Sequence, residues 1–222
     1  MAKQTQDMLG VKNYNKIAEV LYSPVHIREE NKRVTETKRV LSGEYLGASE
    51  VNIIINQRNR SAYNLAQEKV GIIERKEVDN IYTRYGQAME PLIINDIEKL
   101  GYHFMTEKKR CHDYKLSGVV DGIDHRKRII LEVKTFTSQP DMESYINQIH
   151  VYFHIWQMDK AILALYQRSE HFDANNIELY NIDKDSARLD MILNKVTGFW
   201  KKCEILKTDR EMKKKQFDAL EV

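Results

Sequence analysis

Between residues 78 and 100 apolar side chains recur at intervals of three and four: Val78, Ile81, Tyr82, Tyr85, Met89, Ile93, Ile97 and Leu100. That spacing lines one face of a helix. Pro91 falls inside the run. A proline removes an amide donor and pushes its predecessor off helical geometry, so Glu90 is expected at a kink or a helix restart. Gly86, one turn earlier, would allow a close approach. A second stripe follows Pro140: Met142, Tyr145, Ile146, Ile149, Tyr152, Phe153 and Trp156, with Asp141 and Glu143 in its acidic first turn. A third spans residues 184–206 and carries Leu189, Ile192, Leu193, Val196, Phe199, Trp200 and Cys203. Nearer the start, Ser61 reads as the N-cap of a helix with Ala62, Leu65, Ala66 and Val70 inward and Gly71 as its stop. Ser49 reads as the cap of the apolar segment 51–55.

Between these helices the period changes to that of strands. Residues 103–112, 115–121 and 128–134 predict a three-stranded antiparallel meander, with residues 122–127 as the turn of its second hairpin. Residues 161–166 are apolar throughout, as expected of a strand buried on both faces, and residues 176–180 read as an edge strand. The chain therefore mixes helices with strands that add to a sheet.

One hairpin carries the chemistry. Side chains alternate along a strand, so Glu132 and Lys134 share one face while Leu131 and Val133 share the other. Asp121 ends the strand opposite. Two readings stand. A surface hairpin with a salt bridge is the plain one. The other is a hydrolytic site: Asp121 and Glu132 are hard oxygen ligands of the kind Mg²⁺ takes, and Lys134 could orient water or neutralise charge growing on a phosphate. The apolar run Ile129, Ile130 and Leu131 marks a central strand, where charged groups are costly without a partner. Glu90, at the expected break of a mostly buried helix, and Gln148, beside the second stripe, are further candidates.

Composition narrows the setting. The 222 residues suit one domain with a sizeable core, preceded by a charged arm (1–45) and followed by a frayed tail (208–222). A net charge of +2 demands no polyanionic partner, so any nucleic-acid contact must come from local clusters. Those clusters are Lys32, Arg33, Lys38 and Arg39 in the arm, Arg58 and Arg60, and Lys108, Lys109 and Arg110. Two cysteines, Cys111 and Cys203, are too few for a disulfide scaffold or an iron–sulfur cluster. His150 and His154 stand one helical turn apart but bring no third zinc ligand in sequence. No apolar run approaches the roughly 18 residues a membrane helix needs, and the N-terminus is not signal-like, so a cytoplasmic location is expected.

Four elements in order, Gly86 with Glu90 and Pro91, Val120 to Ile123, Leu131 to Lys134, and Tyr145 with Gln148, resemble the YqaJ viral recombinase family. That group includes the lambda-type phage exonucleases of the PD-(D/E)xK superfamily. Residues 46–50 and 65–71 resemble the family's N-terminal segment, so the likeness covers about residues 45–168. It implies a three-layer α/β/α restriction-endonuclease-like fold with a mixed central sheet. It also implies Mg²⁺-dependent hydrolysis of linear double-stranded DNA, 5′→3′, leaving 3′ single strands for a single-strand annealing protein. Mn²⁺ would substitute, and a homotrimeric ring is the implied assembly. By the same resemblance Asp121, Glu132 and the Val133 carbonyl would hold metal and Glu90 would contribute. Lys134 would activate water, and Gln148 would lie against the scissile phosphate or that water. Where the family places a 5′-phosphate-binding arginine this chain has Ser42, leaving Ser49 with Lys38 or Arg39 as substitutes. Other departures are Val120 for a proline and an acid at Glu50. Rival readings are an endonuclease or repair nuclease on the same fold, and an inactive DNA-binding or inhibitory protein.

Overall fold

The structure, a computed structural model, describes residues 44–56, 59–74 and 81–218. Lys32, Arg33, Lys38, Arg39, Ser42, Arg58 and Val78 lie outside the described residues, as does the side chain of Arg60. A six-stranded mixed sheet forms the middle layer. Its strands are β1 (Leu46–Gly47), β2 (Met105–Cys111), β3 (Leu116–Asp124), β4 (Ile129–Phe136), β5 (Lys160–Gln167) and β6 (Ile177–Asp183). The helices are α1 (Val51–Ile55), α2 (Asn59–Lys69), α3 (Ile81–Glu98), α4 (Met142–Trp156) and α5 (Ser186–Asp218).

The sheet runs β1-β3-β4-β5-β6, with β2 antiparallel to β3 along its outer edge. Strands β4 and β5 are parallel and joined through α4, so β5 is central and its residues 161–166 are buried, as its apolar sequence requires. One side of the sheet packs against α1, α2, α4 and α5 through Leu46, Val120, Ile130, Ile149, Phe153, Leu163 and Phe199. The other packs against α3 through Ile93, Ile97, Leu131, Val133 and Ala164. Alternation along β4 therefore holds: Leu131 and Val133 join the α3 core, and Ile130 joins the α4 core.

Several local expectations change. Helix α3 is continuous through Pro91, so Glu90 lies within a helix and not at a restart. The surrounding packing outweighs the one lost hydrogen bond. Its stripe is shorter than the sequence suggests, because Tyr82 and Leu100 are exposed. A methyl at Gly86 would meet Thr135 Oγ1 at 3.5 Å, an ordinary contact, so no close approach depends on that glycine. Ser49 caps nothing: residues Ala48–Glu50 form a 3₁₀ turn, and the Glu50 carboxylate accepts the Gly47 amide instead. The acid at Glu50 is buried and paired with the equally buried Lys69, whose ammonium also donates to the Tyr45 carbonyl. Helix α2 starts at Asn59, placing Ser61 inside it, and ends as expected at Gly71, where φ is +69°. Residues 122–124, read as turn, are strand, so the hairpin turn is 125–128 with Arg128 left-handed. Helix α5 runs to Asp218, past the expected end at 206 and through much of the stretch read as a frayed tail. Arg210 contributes by donating to the carbonyls of Val70 and Gly71 at the end of α2.

Two features of β3 shape the site. Opposite Thr106 the strand holds two residues, Asp121 and Gly122, where β2 holds one. This bulge turns Val120 and Ile123 to the same side, both in the α4 core, and re-aims Asp121. The pairing of β3 with β4 covers only Asp124, Ile123 and Gly122 against Ile129, Ile130 and Leu131. Beyond it the strands part, and β1 takes the vacated edge of β3 at Leu116. A fork opens in the sheet beneath α3.

Candidate active site

At the fork the Asp121 Oδ2 accepts the Val133 amide at 2.7 Å, a donor that further pairing of β3 with β4 would have used. This bond fixes the carboxylate against β4. A cleft of about 410 Å³ opens there, with Asp121, Val133, Lys134 and Thr135 on the sheet side. Tyr82, Thr83, Gly86 and Glu90 of α3, with Arg168 after β5, complete it.

Glu132 points the other way from Val133 and is 1% exposed. Its Oε1 is paired with the Lys134 ammonium and accepts the Gln148 amide nitrogen at 2.7 Å. Gln148 also donates to the Tyr152 hydroxyl at 2.6 Å, and Tyr152 donates to the Val119 carbonyl at 2.8 Å. A chain of bonds thus runs from β3 through α4 to the acid on β4. The Glu132 Oε2 is buried and has no hydrogen-bond partner among the described residues. A buried, unsatisfied carboxylate oxygen is costly, and such an atom marks a place built for a further partner.

Electrostatics agree. Burial, then the charges of Glu132 and Glu90, hold the Asp121 carboxyl well above the usual carboxylate range. Burial and Glu132 raise Glu90 likewise. For Lys134 burial works to lower the ammonium, but Glu132 and Asp121 reverse this and leave it raised, hence charged. Three acids therefore share a site with one ammonium, an excess of negative charge that a cation would relieve. As placed, no group of three or more His, Cys, Asp or Glu side chains among the described residues is close enough to hold a metal ion. The acids interact through charge, and Glu132 keeps a free oxygen, without closing on a common point.

The structure brings together Glu90, Asp121, Val133 and Lys134 at the cleft, with Glu132 and Gln148 immediately behind them. Of the expected DNA contacts that lie among the described residues, none lines the cleft. Ser49 is exposed on the 3₁₀ turn and does not line the cleft. Lys108, Lys109 and Arg110 are exposed on β2, where alternation divides them between the two faces of the sheet. Arg110 lies over the Tyr45 ring at 5.1 Å. His150 is occupied by the Ile146 carbonyl and the Asp185 amide, and His154 by Cys111 Sγ, so that pair holds structure. Arg168 was not legible as a site residue. Its available signal is position: it is the basic residue just past the buried strand that lies parallel to β4.

No family model matches the chain, and no curated protein matches it. Solved structures do match its fold. An alkaline exonuclease (LHK-Exo) from Laribacter hongkongensis superposes with a TM-score of 0.70 at 15% identity, covering 82% of this chain and 99% of that one. The same exonuclease in complex with dAMP gives 0.69, again at 15% identity, over 81% and 97%. A phage-related exonuclease from Haemophilus somnus 129PT gives 0.61 at 16% identity, over 78% and 99%. The fold is therefore the three-layer α/β/α arrangement of these nucleases, in agreement with the resemblance carried by the four motifs.

Proposed function

We propose that this chain is a metal-dependent deoxyribonuclease that digests linear double-stranded DNA from its ends. The observation that carries the reading is the group at the sheet fork: Asp121 and Glu90 in the cleft, Glu132 behind with an unsatisfied oxygen, and one ammonium, Lys134, among them. The shared fold with two exonucleases supports it, as does the nucleoside monophosphate bound by one of them.

The donor set fits Mg²⁺ or Mn²⁺: hard oxygens, an excess of acid, and an open carboxylate atom. Asp121, Glu132 and the Val133 carbonyl would hold the ion, with Glu90 contributing from α3. When bound, such an ion polarises the phosphate and lowers the pKa of bound water. Lys134 holds positive charge beside the acids, where it orients water and stabilises charge developing on the phosphate. Gln148 fixes the Glu132 carboxylate through Oε1 and leaves Oε2 available. The reading extends to 5′→3′ polarity, a homotrimer enclosing duplex, and delivery of 3′ single strands to an annealing protein in phage recombination.

The test is incubation of linear, nicked and closed-circular duplex with Mg²⁺, Mn²⁺, Ca²⁺ or EDTA. Expected are mononucleotides from linear DNA with Mg²⁺ or Mn²⁺, and intact circles. Ca²⁺ takes more ligands at longer distances and should not support cleavage. Lys134→Ala should lower kcat about 100-fold or more with KM little changed, the size of one electrostatic group acting in the transition state. Cut circles would transfer the site to an endonuclease, and full activity in EDTA would remove the metal.

A further inference from the structure

We propose that Arg168 and Tyr82 form a nucleotide subsite of the cleft, Arg168 taking a backbone phosphate and Tyr82 stacking on a base of a single DNA strand. The inference rests on the nuclease reading of the same cleft and adds how the strand is held there.

Arg168 follows β5 directly, and its amide donates to the Phe136 carbonyl at 2.8 Å, which carries the β4–β5 alignment one residue further. The side chain is then fixed in orientation. Nε and Nη2 both donate to Thr135 Oγ1, at 3.2 and 3.1 Å, and Nη2 reaches the Tyr82 carbonyl at 3.4 Å. The guanidinium carbon lies 4.9 Å from the Tyr82 ring centre and 5.3 Å from that of Tyr85. Among the described residues no carboxylate forms an ion pair with it. A rigid guanidinium that faces a cleft without its own anion is a receptor for one, and its planar fork suits phosphate.

Tyr82 supplies the second observation. It lies at the cleft, yet 60% of it is exposed. Cation–π contact with Arg168 orders the ring, so an exposed aromatic stands fixed at the cleft rim. Aromatic faces of this kind stack on bases without regard to sequence, which suits an enzyme that must accept every nucleotide. A base can stack on a side chain only when its own face is free, as in a single strand or at the end of a duplex. The cleft, about 410 Å³, has the size of a small-ligand pocket and has room for a nucleotide rather than a base-paired stack.

The experiment uses the full chain in EDTA and a short fluorescent single-stranded oligonucleotide, read by anisotropy, beside an abasic oligonucleotide of equal length. Wild type should bind the normal strand more tightly than the abasic one. Tyr82→Ala should lose about tenfold on the normal strand and little on the abasic, as expected for one base–aromatic stack. Arg168→Ala should weaken both, and Arg168→Lys should recover part of the loss. With Mg²⁺ both residues should act on KM more than on kcat. Melting temperatures guard against a folding defect. If Arg168→Ala melts early, Tyr82→Ala decides alone, because its exposed ring has little packing to lose. Wild type that fails to bind the oligonucleotide, equal binding of both strands, or unchanged affinity in Tyr82→Ala would each overturn the subsite. A protein that shows the base-dependent binding but never cleaves would overturn the nuclease reading and leave the subsite standing.

Discussion

At the scale of single residues, Glu90 lies within α3, one position before Pro91. What sets Glu90 apart is its environment: burial and the Glu132 charge raise its carboxyl, which no sequence pattern reports. Glu90→Gln tests that environment. The amide removes one member of a crowded acid group, so the metal-free variant should melt at or above the wild-type temperature. It also removes an oxygen ligand, so cleavage with Mg²⁺ should fall by about 10-fold or more, the loss typical of a group that orients the metal or its ligands. A variant both less stable and fully active would make Glu90 a structural residue. Arg168 stayed hidden because its meaning comes from Thr135, Tyr82 and Tyr85, residues far from it in sequence.

At the scale of elements, stripes gave the major helices and the apolar run gave β5, while the bulge at Asp121 and the fork between β3 and β4 could not be read. Both depend on which strand lies alongside, and that is decided by long-range packing. Gly118 records the packing. A methyl there would lie 2.8 Å from Tyr152 Cε1 and 3.1 Å from Trp156 Cζ3. Gly118→Ala should therefore cost about 1–3 kcal/mol of stability through overpacking. It should also slow cleavage, because the displaced Tyr152 is the link from Val119 to Gln148 and Glu132. Urea unfolding with wild-type stability would show the ring moves freely. A pH effect belongs to this scale too. His150 Nε2 accepts the Asp185 amide, and Asp185 in turn accepts the Arg188 amide in the first turn of α5. Burial and the nearby Arg188 and Lys184 lower His150, against the Ile146 carbonyl and Asp185 that raise it. The fold holds the neutral ring, so its stabilisation is present above the unfolded value near 6.5 and is lost as pH falls through the lower folded value. Burial lowers His154 with the same sign. Protonation of the raised Asp121 and Glu90 acts in the opposite sense as pH falls, so the histidine contribution is read as a difference: between about pH 7 and 5 the urea midpoint of wild type should fall relative to that of His150→Gln.

At the scale of the molecule, the separated acids and the large cores on each side of the sheet are one thermodynamic system. Three carboxylates held against two cores resist the fold when no cation is present, and two of them are raised as the sign of it. An ion that binds the folded chain and not the unfolded one adds stability as RT ln(1 + [L]/Kd), about 2.7 kcal/mol at 100 times Kd. For a chain of this size that is a rise of roughly 5–10 °C in melting temperature. Mg²⁺ should produce such a shift in wild type, and matched ionic strength in NaCl should not. Asp121→Asn, which retains an oxygen to accept the Val133 amide, should lose most of the shift while keeping its metal-free stability. Glu132→Gln should behave the same way if the unsatisfied Oε2 is a ligand, because the amide can keep Oε1 toward Lys134 but offers no second carboxylate oxygen. Ca²⁺ should also raise the melting temperature without supporting cleavage, separating binding from chemistry. A wild-type chain that melts at the same temperature with Mg²⁺, Ca²⁺ and EDTA would mean that the acids at the fork hold no ion, and that the unpaired oxygen of Glu132 answers to something else.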